Sequence, residues 1–94
     1  MDRFKLLSIG GNCPVQAEGT IDGHPWYFRA RTVELEFNVW QDKAAQNADW
    51  FSPIFTHEEA YGVERGDAGW IPQNLALEFV FRAAQLFLLT RAPK

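Results

Sequence analysis

The chain has 94 residues, of which 47 % are hydrophobic, 22 % charged and 15 % aromatic, and it carries a net charge of −3. This composition excludes a disordered polypeptide, and the length fits a single domain, residues 1–94, burying about 60–65 % of its unfolded surface. A lone cysteine, Cys13, excludes an internal disulfide and suits a reducing compartment.

At the amino terminus, "MDRFKLLSIGGN" has too short and mixed an apolar stretch for a signal peptide. Its "RFKLLSI" segment reads as a further strand, closed by Gly10-Gly11-Asn12. Cys13 follows in "GGNCP" with no CxxC spacing or paired ligand, so it reads as an inert thiol. The segment "VQAEGTIDGHPWYFRAR", Val15 to Arg31, alternates apolar and polar residues on both sides of Asp22-Gly23, a strong two-residue hairpin turn. That turn pairs Ile21 with His24, Gly19 with Trp26, Ala17 with Phe28 and Val15 with Ala30 on one face. The other face pairs Thr20 with Pro25, Glu18 with Tyr27 and Gln16 with Arg29. Gly19 opposite Trp26 is an arrangement in which a cross-strand ring covers a bare glycine.

In "TVELEFNVW", Val33, Leu35, Phe37 and Val39 point inward, with Glu34, Glu36 and Asn38 outward. The apolar phase changes between Ala30 and Val33, which requires a turn or bulge near Arg31-Thr32; if that turn is tight, Glu34 lies opposite Arg29 and can form a cross-strand ion pair. "QDKAAQNADW" reads as a loop or one short helical turn. "FSPIFTHEE" reads as a fourth or edge strand, with Pro53 confining it to an edge. "AYGVERGDAGW", with Gly62, Gly66 and Gly69, is an irregular loop.

The last element is a helix from about Pro72 to Thr90, with Pro72 at its first position. On a helical wheel Glu78, Arg82 and Gln85 form a narrow polar wedge, and apolar residues fill about two-thirds of the circumference. One sheet face needs a stripe only about 100° wide. Either the sheet curls around the helix, or the flank of Phe81 and Leu88 is an oligomer interface, giving a homodimer. The expected fold is α+β: a three- to four-stranded antiparallel sheet with one C-terminal helix packed on one face.

The chain offers little for catalysis. Two histidines and one cysteine, with no HExxH, paired CxxC or calcium loop, supply no metal site. His24 adjoins a hairpin turn, and His57, before Glu58-Glu59, reads as part of a solvated edge. "GVERGDAG" lacks the Lys-Ser/Thr ending of a phosphate loop. No catalytic residue, cofactor or metal is expected. Tyr27, Arg29 and Arg31 share a strand face of the kind that stacks bases, but Glu18, Glu34 and Glu36 offset that charge, so direct nucleic-acid binding is not expected. The apolar segments fall short of the roughly 20 residues that span a bilayer; a cytoplasmic protein is expected.

Charge is unevenly spread. Residues 32–67 carry −6 and the remainder +3, an acidic block that disfavours phosphate backbones and suits a basic partner surface. The candidate partner-binding residues are Glu34, Glu36, Asp42, Asp49, Glu58 and Glu59, with exposed rings among Trp40, Trp50 and Tyr61.

"CPVQAEGTIDGHPWYFRAR", with the later "AYG" and "DAGWIP" before a terminal helix, resembles a small family of uncharacterised phage and mobile-element proteins. The likeness covers about a third of the chain and departs at "ARTVEL", where the family pattern leads one to expect glycine. By class, the chain is similar to compact acidic mobile-element proteins that include anti-CRISPR proteins. That resemblance implies a non-catalytic inhibitor in the host bacterial cytoplasm, with a CRISPR effector as the partner. The alternative is an antitoxin-like or homodimeric interaction module using the helix flank.

Overall fold

The computed structural model describes residues 3–10, 15–31, 33–61, 68 and 71–91. Cys13 and the Gly62, Gly66 and Gly69 positions lie outside them. Five strands, β1 (Phe4–Gly10), β2 (Val15–Ile21), β3 (His24–Arg31), β4 (Glu34–Val39) and β5 (Phe55–Ala60), form one antiparallel sheet in the order β1-β2-β3-β4-β5. A short helix, α1 (Lys43–Ala48), lies between β4 and β5, and α2 (Gln73–Thr90) follows the sheet. The expected count of three to four strands is therefore corrected to five. Both edge strands form, and neither sequence shows the clean apolar–polar alternation that marks a half-buried strand. β1 carries an irregularity between Leu6 and Ser8, which breaks its period, and β5 turns His57 and Glu59 rather than apolar residues toward α2.

The β2–β3 hairpin takes the register that Asp22-Gly23 dictates, from Ile21↔His24 to Val15↔Ala30. Asp22 (φ 51°) and Gly23 (φ 81°) both occupy the left-handed region, as a two-residue primed turn requires. Arg3 braces the turn from outside, donating from Nε to Asp22 Oδ1 at 2.6 Å. This hydrogen bond holds the Asp22 carboxyl below the usual carboxylate range.

The β3–β4 register differs from expectation. Thr32 and Val33 separate Arg31 from its partner Glu34, so Arg29 faces Glu36 rather than Glu34. The later turn sets Phe28 opposite Phe37 and Ala30 opposite Leu35, pairing large apolar side chains on the core face.

The core lies between the sheet and α2. Trp26, Phe28, Phe37 and Val39 from the sheet meet Phe79, Val80, Ala83, Ala84 and Phe87 of the helix. Phe79 lies against Phe28 at 5.6 Å and against His57 of β5 at 5.7 Å, while Phe81 touches Phe4 of β1 at 5.3 Å. One turn of α2 thus reaches both edge strands, whose backbones in a flat five-stranded sheet would stand about 19 Å apart. Contact with both edge strands accounts for much of the broad apolar surface of the helix. Part of the helix surface nevertheless remains uncovered: Phe81 is 44 % and Leu89 71 % exposed. Leu88, placed with Phe81 in the expected interface, is instead half-buried against the core. Pro72 has extended backbone and caps the helix rather than opening its first turn. Among the described residues no helix is long and apolar enough to cross a membrane.

Candidate functional site

The sheet face turned away from α2 is polar and is organised by strand register. Across it, Gln16, Arg29, Glu36 and Glu58 form one cross-strand row, and Glu18, Tyr27, Asn38 and Thr56 the next. The Tyr27 hydroxyl donates to Gln16 Oε1 at 2.8 Å, and burial pushes its pKa up. Thr56 Oγ1 donates to Asn38 Oδ1 at 2.7 Å, and Asn38 Nδ2 donates to Glu36 Oε1 at 3.1 Å. Arg29 approaches the same Glu36 oxygen at 3.9 Å. Glu58 stands directly opposite Glu36, and among the described residues no cation pairs with it.

The α1–β5 connection folds over one side of this face. Asp42 caps α1, its Oδ1 accepting from the Ala45 amide at 2.7 Å. Asp49 ties the next turn: Oδ1 accepts from the Phe51 amide at 3.0 Å and Oδ2 from Ser52 Oγ at 2.6 Å. Trp50 packs on Trp40 at 4.6 Å and meets Tyr27 edge-on at 5.1 Å. The turn so fixed presents Phe51 to solvent, 91 % exposed. Trp50, Phe51 and Pro53 form the wall of a groove of about 210 Å³ whose floor is Arg29, Glu36, Asn38, Thr56 and Glu58.

The expected site residues are therefore dispersed. Glu36, Glu58 and Trp50 meet at the groove, and Glu34 lies exposed in the strand that carries Glu36. Trp40 is corrected from an exposed ring to a fully buried one: it lies beneath Trp50, and its Nε1 donates to the Trp50 carbonyl at 3.1 Å. Asp42 and Asp49 hold the α1 segment through their carboxylates. Tyr61 is half-buried against the core. Glu59, adjacent to Glu58, faces the opposite side of the sheet because successive strand residues alternate. The acidic block is not one patch. Phe51, Asn38 and Thr56 are not among the candidate site residues the sequence singles out, and Arg29 enters as a candidate only in the strand face set aside for nucleic acid. The signal for Phe51 is "DWFSP" (Asp49 to Pro53), an Asp able to cap the amide two residues on.

On the helix side, Glu59 Oε2 lies 2.9 Å from His57 Nε2 and accepts from Arg82 at 2.8 Å. The His57 bond first, and then Arg82, hold the Glu59 carboxyl below its ordinary value. Because the folded pKa is depressed, the contact stabilises the fold above the unfolded value of about 4.3, and that stability is lost as pH falls through the folded value. Glu59→Gln is expected to lower the urea midpoint at pH 6, and its gap from the wild type should narrow as the pH falls below about 4.3 and the wild-type carboxyl takes up its proton. An equal gap above and below that pH refutes the assignment.

Among the described residues no group of three or more His, Cys, Asp or Glu side chains comes together to hold a metal ion. Comparison of the chain with protein-family models, curated proteins and solved structures finds no match.

Proposed function

We propose that this chain is a non-catalytic binding module that acts by occupying a basic surface on a partner protein, through the outer sheet face and the Phe51 turn. The observation that carries the reading is Phe51, 91 % exposed on a turn tied by Asp49, beside a groove bearing two carboxylates. Burial does not account for so exposed a large aromatic side chain, and a rigidly presented ring flanked by charge has the form of an interface anchor. The negative groove adds charge complementarity, which speeds encounter and fixes orientation. Joined to the phage and mobile-element resemblance, the surface suits an inhibitor of a host complex, with a CRISPR effector as the partner class.

The test is a plasmid-interference assay in bacteria with an active CRISPR system. Wild-type chain should restore transformation, and a Phe51→Ala/Glu58→Lys variant should fail to, with a melting temperature no lower than that of the wild type. Each anchor lost should weaken partner capture by about 30-fold. Full inhibition by the variant would remove this surface from the proposal. Failure of the wild type in every CRISPR class tested would remove the CRISPR effector as partner.

The exposed flank of α2 supports a second reading, a homodimer seated on Phe81 and Leu89. Sedimentation should then give twice the chain mass, and Phe81→Glu should return it to one.

A further inference from the structure

We propose that the groove takes one arginine side chain of the partner protein. Its guanidinium would lie between Glu36 and Glu58, and its aliphatic stem against Trp50 and Phe51. The inference rests on the binding role proposed above and names what that surface recognises.

Three features of the groove select this occupant. The first is charge. Glu36 and Glu58 are direct partners in the β4–β5 ladder, and like charges placed opposite one another weaken a sheet. Arg29 stands 3.9 Å from Glu36, whereas Glu58 pairs with no cation among the described residues. Two carboxylates against one guanidinium leave one negative charge, which a single incoming cation neutralises.

The second feature is hydrogen-bonding polarity. On the floor, Thr56 already donates to Asn38 and Asn38 to Glu36. Among the described residues no donor reaches the second oxygen of Glu36 or either oxygen of Glu58, all acceptors. Guanidinium offers five N–H donors and no acceptor, so it satisfies them without stranding a lone pair.

The third feature is the wall. Trp50 and Phe51 line the same groove as the carboxylates. A planar, weakly hydrated guanidinium stacks on an aromatic face while its edge binds carboxylate, which a compact and strongly hydrated ammonium does less well. The groove, at about 210 Å³, has room for one such side chain.

The test is an NMR titration of the whole chain with the capped peptide acetyl-Gly-Arg-Gly-amide and with analogues carrying lysine or citrulline in place of arginine. The arginine peptide should shift the Thr56 and Glu58 amides and the Trp50 indole N–H. It should bind about fivefold more tightly than the lysine peptide, and the neutral citrulline peptide should produce no shift at those positions. Glu58→Gln, at an exposed position, should weaken arginine binding about fivefold or more without moving resonances on the helix side, and Phe51→Ala should reduce the preference over lysine. Equal binding of arginine and lysine, shifts that map elsewhere, or indifference to Glu58→Gln would each overturn the inference. These outcomes are separable from the wider proposal. Loss of inhibition in the Phe51→Ala/Glu58→Lys variant without arginine preference keeps the surface and rejects the occupant. Arginine binding with full inhibition by that variant keeps the groove's selectivity and rejects its part in inhibition.

Discussion

Gly19→Ala is expected to lower the free energy of unfolding by about 3 kcal/mol, read as a shift in urea midpoint. A Cβ at this position would overlap the carbonyl oxygen of Lys5 in β1 and lie 2.8 Å from Cζ2 of Trp26. The first neighbour is backbone and has no rotamer to escape into. The second belongs to a buried ring stacked between Phe4 at 5.3 Å and Phe37 at 5.5 Å. The simplest relief is for β1 to leave β2, which would also expose the stacked rings. Hydrogen exchange should therefore show early loss of protection across Phe4–Ile9, ahead of the rest of the sheet. Gly10→Ala is the control, because a Cβ there meets nothing within 4 Å. A Gly19→Ala protein as stable as this control would show that the close approach of β1 is not a constraint.

Trp40→Ala should cost a further large amount, about 3–5 kcal/mol. The ring is fully buried, packs on Trp50 at 4.6 Å and hydrogen-bonds the Trp50 carbonyl. Its removal leaves a cavity beneath the α1–β5 connection and frees the turn that presents Phe51. Binding should therefore fall together with the melting temperature. Trp40→Phe should recover much of the packing but not the hydrogen bond. Were Trp40 a contact residue, alanine would weaken binding and leave melting unchanged, and that result would contradict its place in the structure.

These two residues show what the sequence discloses and what it withholds. The β2–β3 hairpin is legible pair by pair because Asp22-Gly23 admits few turn geometries, and one turn fixes every register position that follows. The sequence joining Arg31 to its partner Glu34 has no such signature. Pairing Arg29 with Glu36 instead of Glu34 is a slip of two residues, which leaves every side chain on its original face, so hydrophobic alternation cannot detect it. Strand β5 is obscured for a different reason. Its inward row is Phe55, His57 and Glu59, and the last two are accommodated by the Phe79 ring and Arg82 rather than by apolar packing.

The candidate site follows the same division. The separation of Glu58 from Glu59 is implicit in strand periodicity, since neighbours point to opposite faces. The burial of Trp40 is not. It continues the outward row of Asn38, and only the fold-back of the α1–β5 connection covers it. The exposure of Phe51 likewise depends on a turn whose hydrogen bonds to Asp49 are local, but whose neighbours across the groove lie on β3, β4 and β5.

The consecutive order of the strands has a consequence for how the chain is made. Each strand pairs with the one just synthesised, so the ladder can assemble by short loop closures that cost little entropy. The aromatic side of that ladder, with Trp26, Phe28 and Phe37, stays uncovered until α2 leaves the ribosome. During that interval the nascent chain presents a sticky apolar surface to its surroundings. A slow decoding step before Gln73 would lengthen the exposure and raise the demand for chaperones, at no cost to the final equilibrium stability.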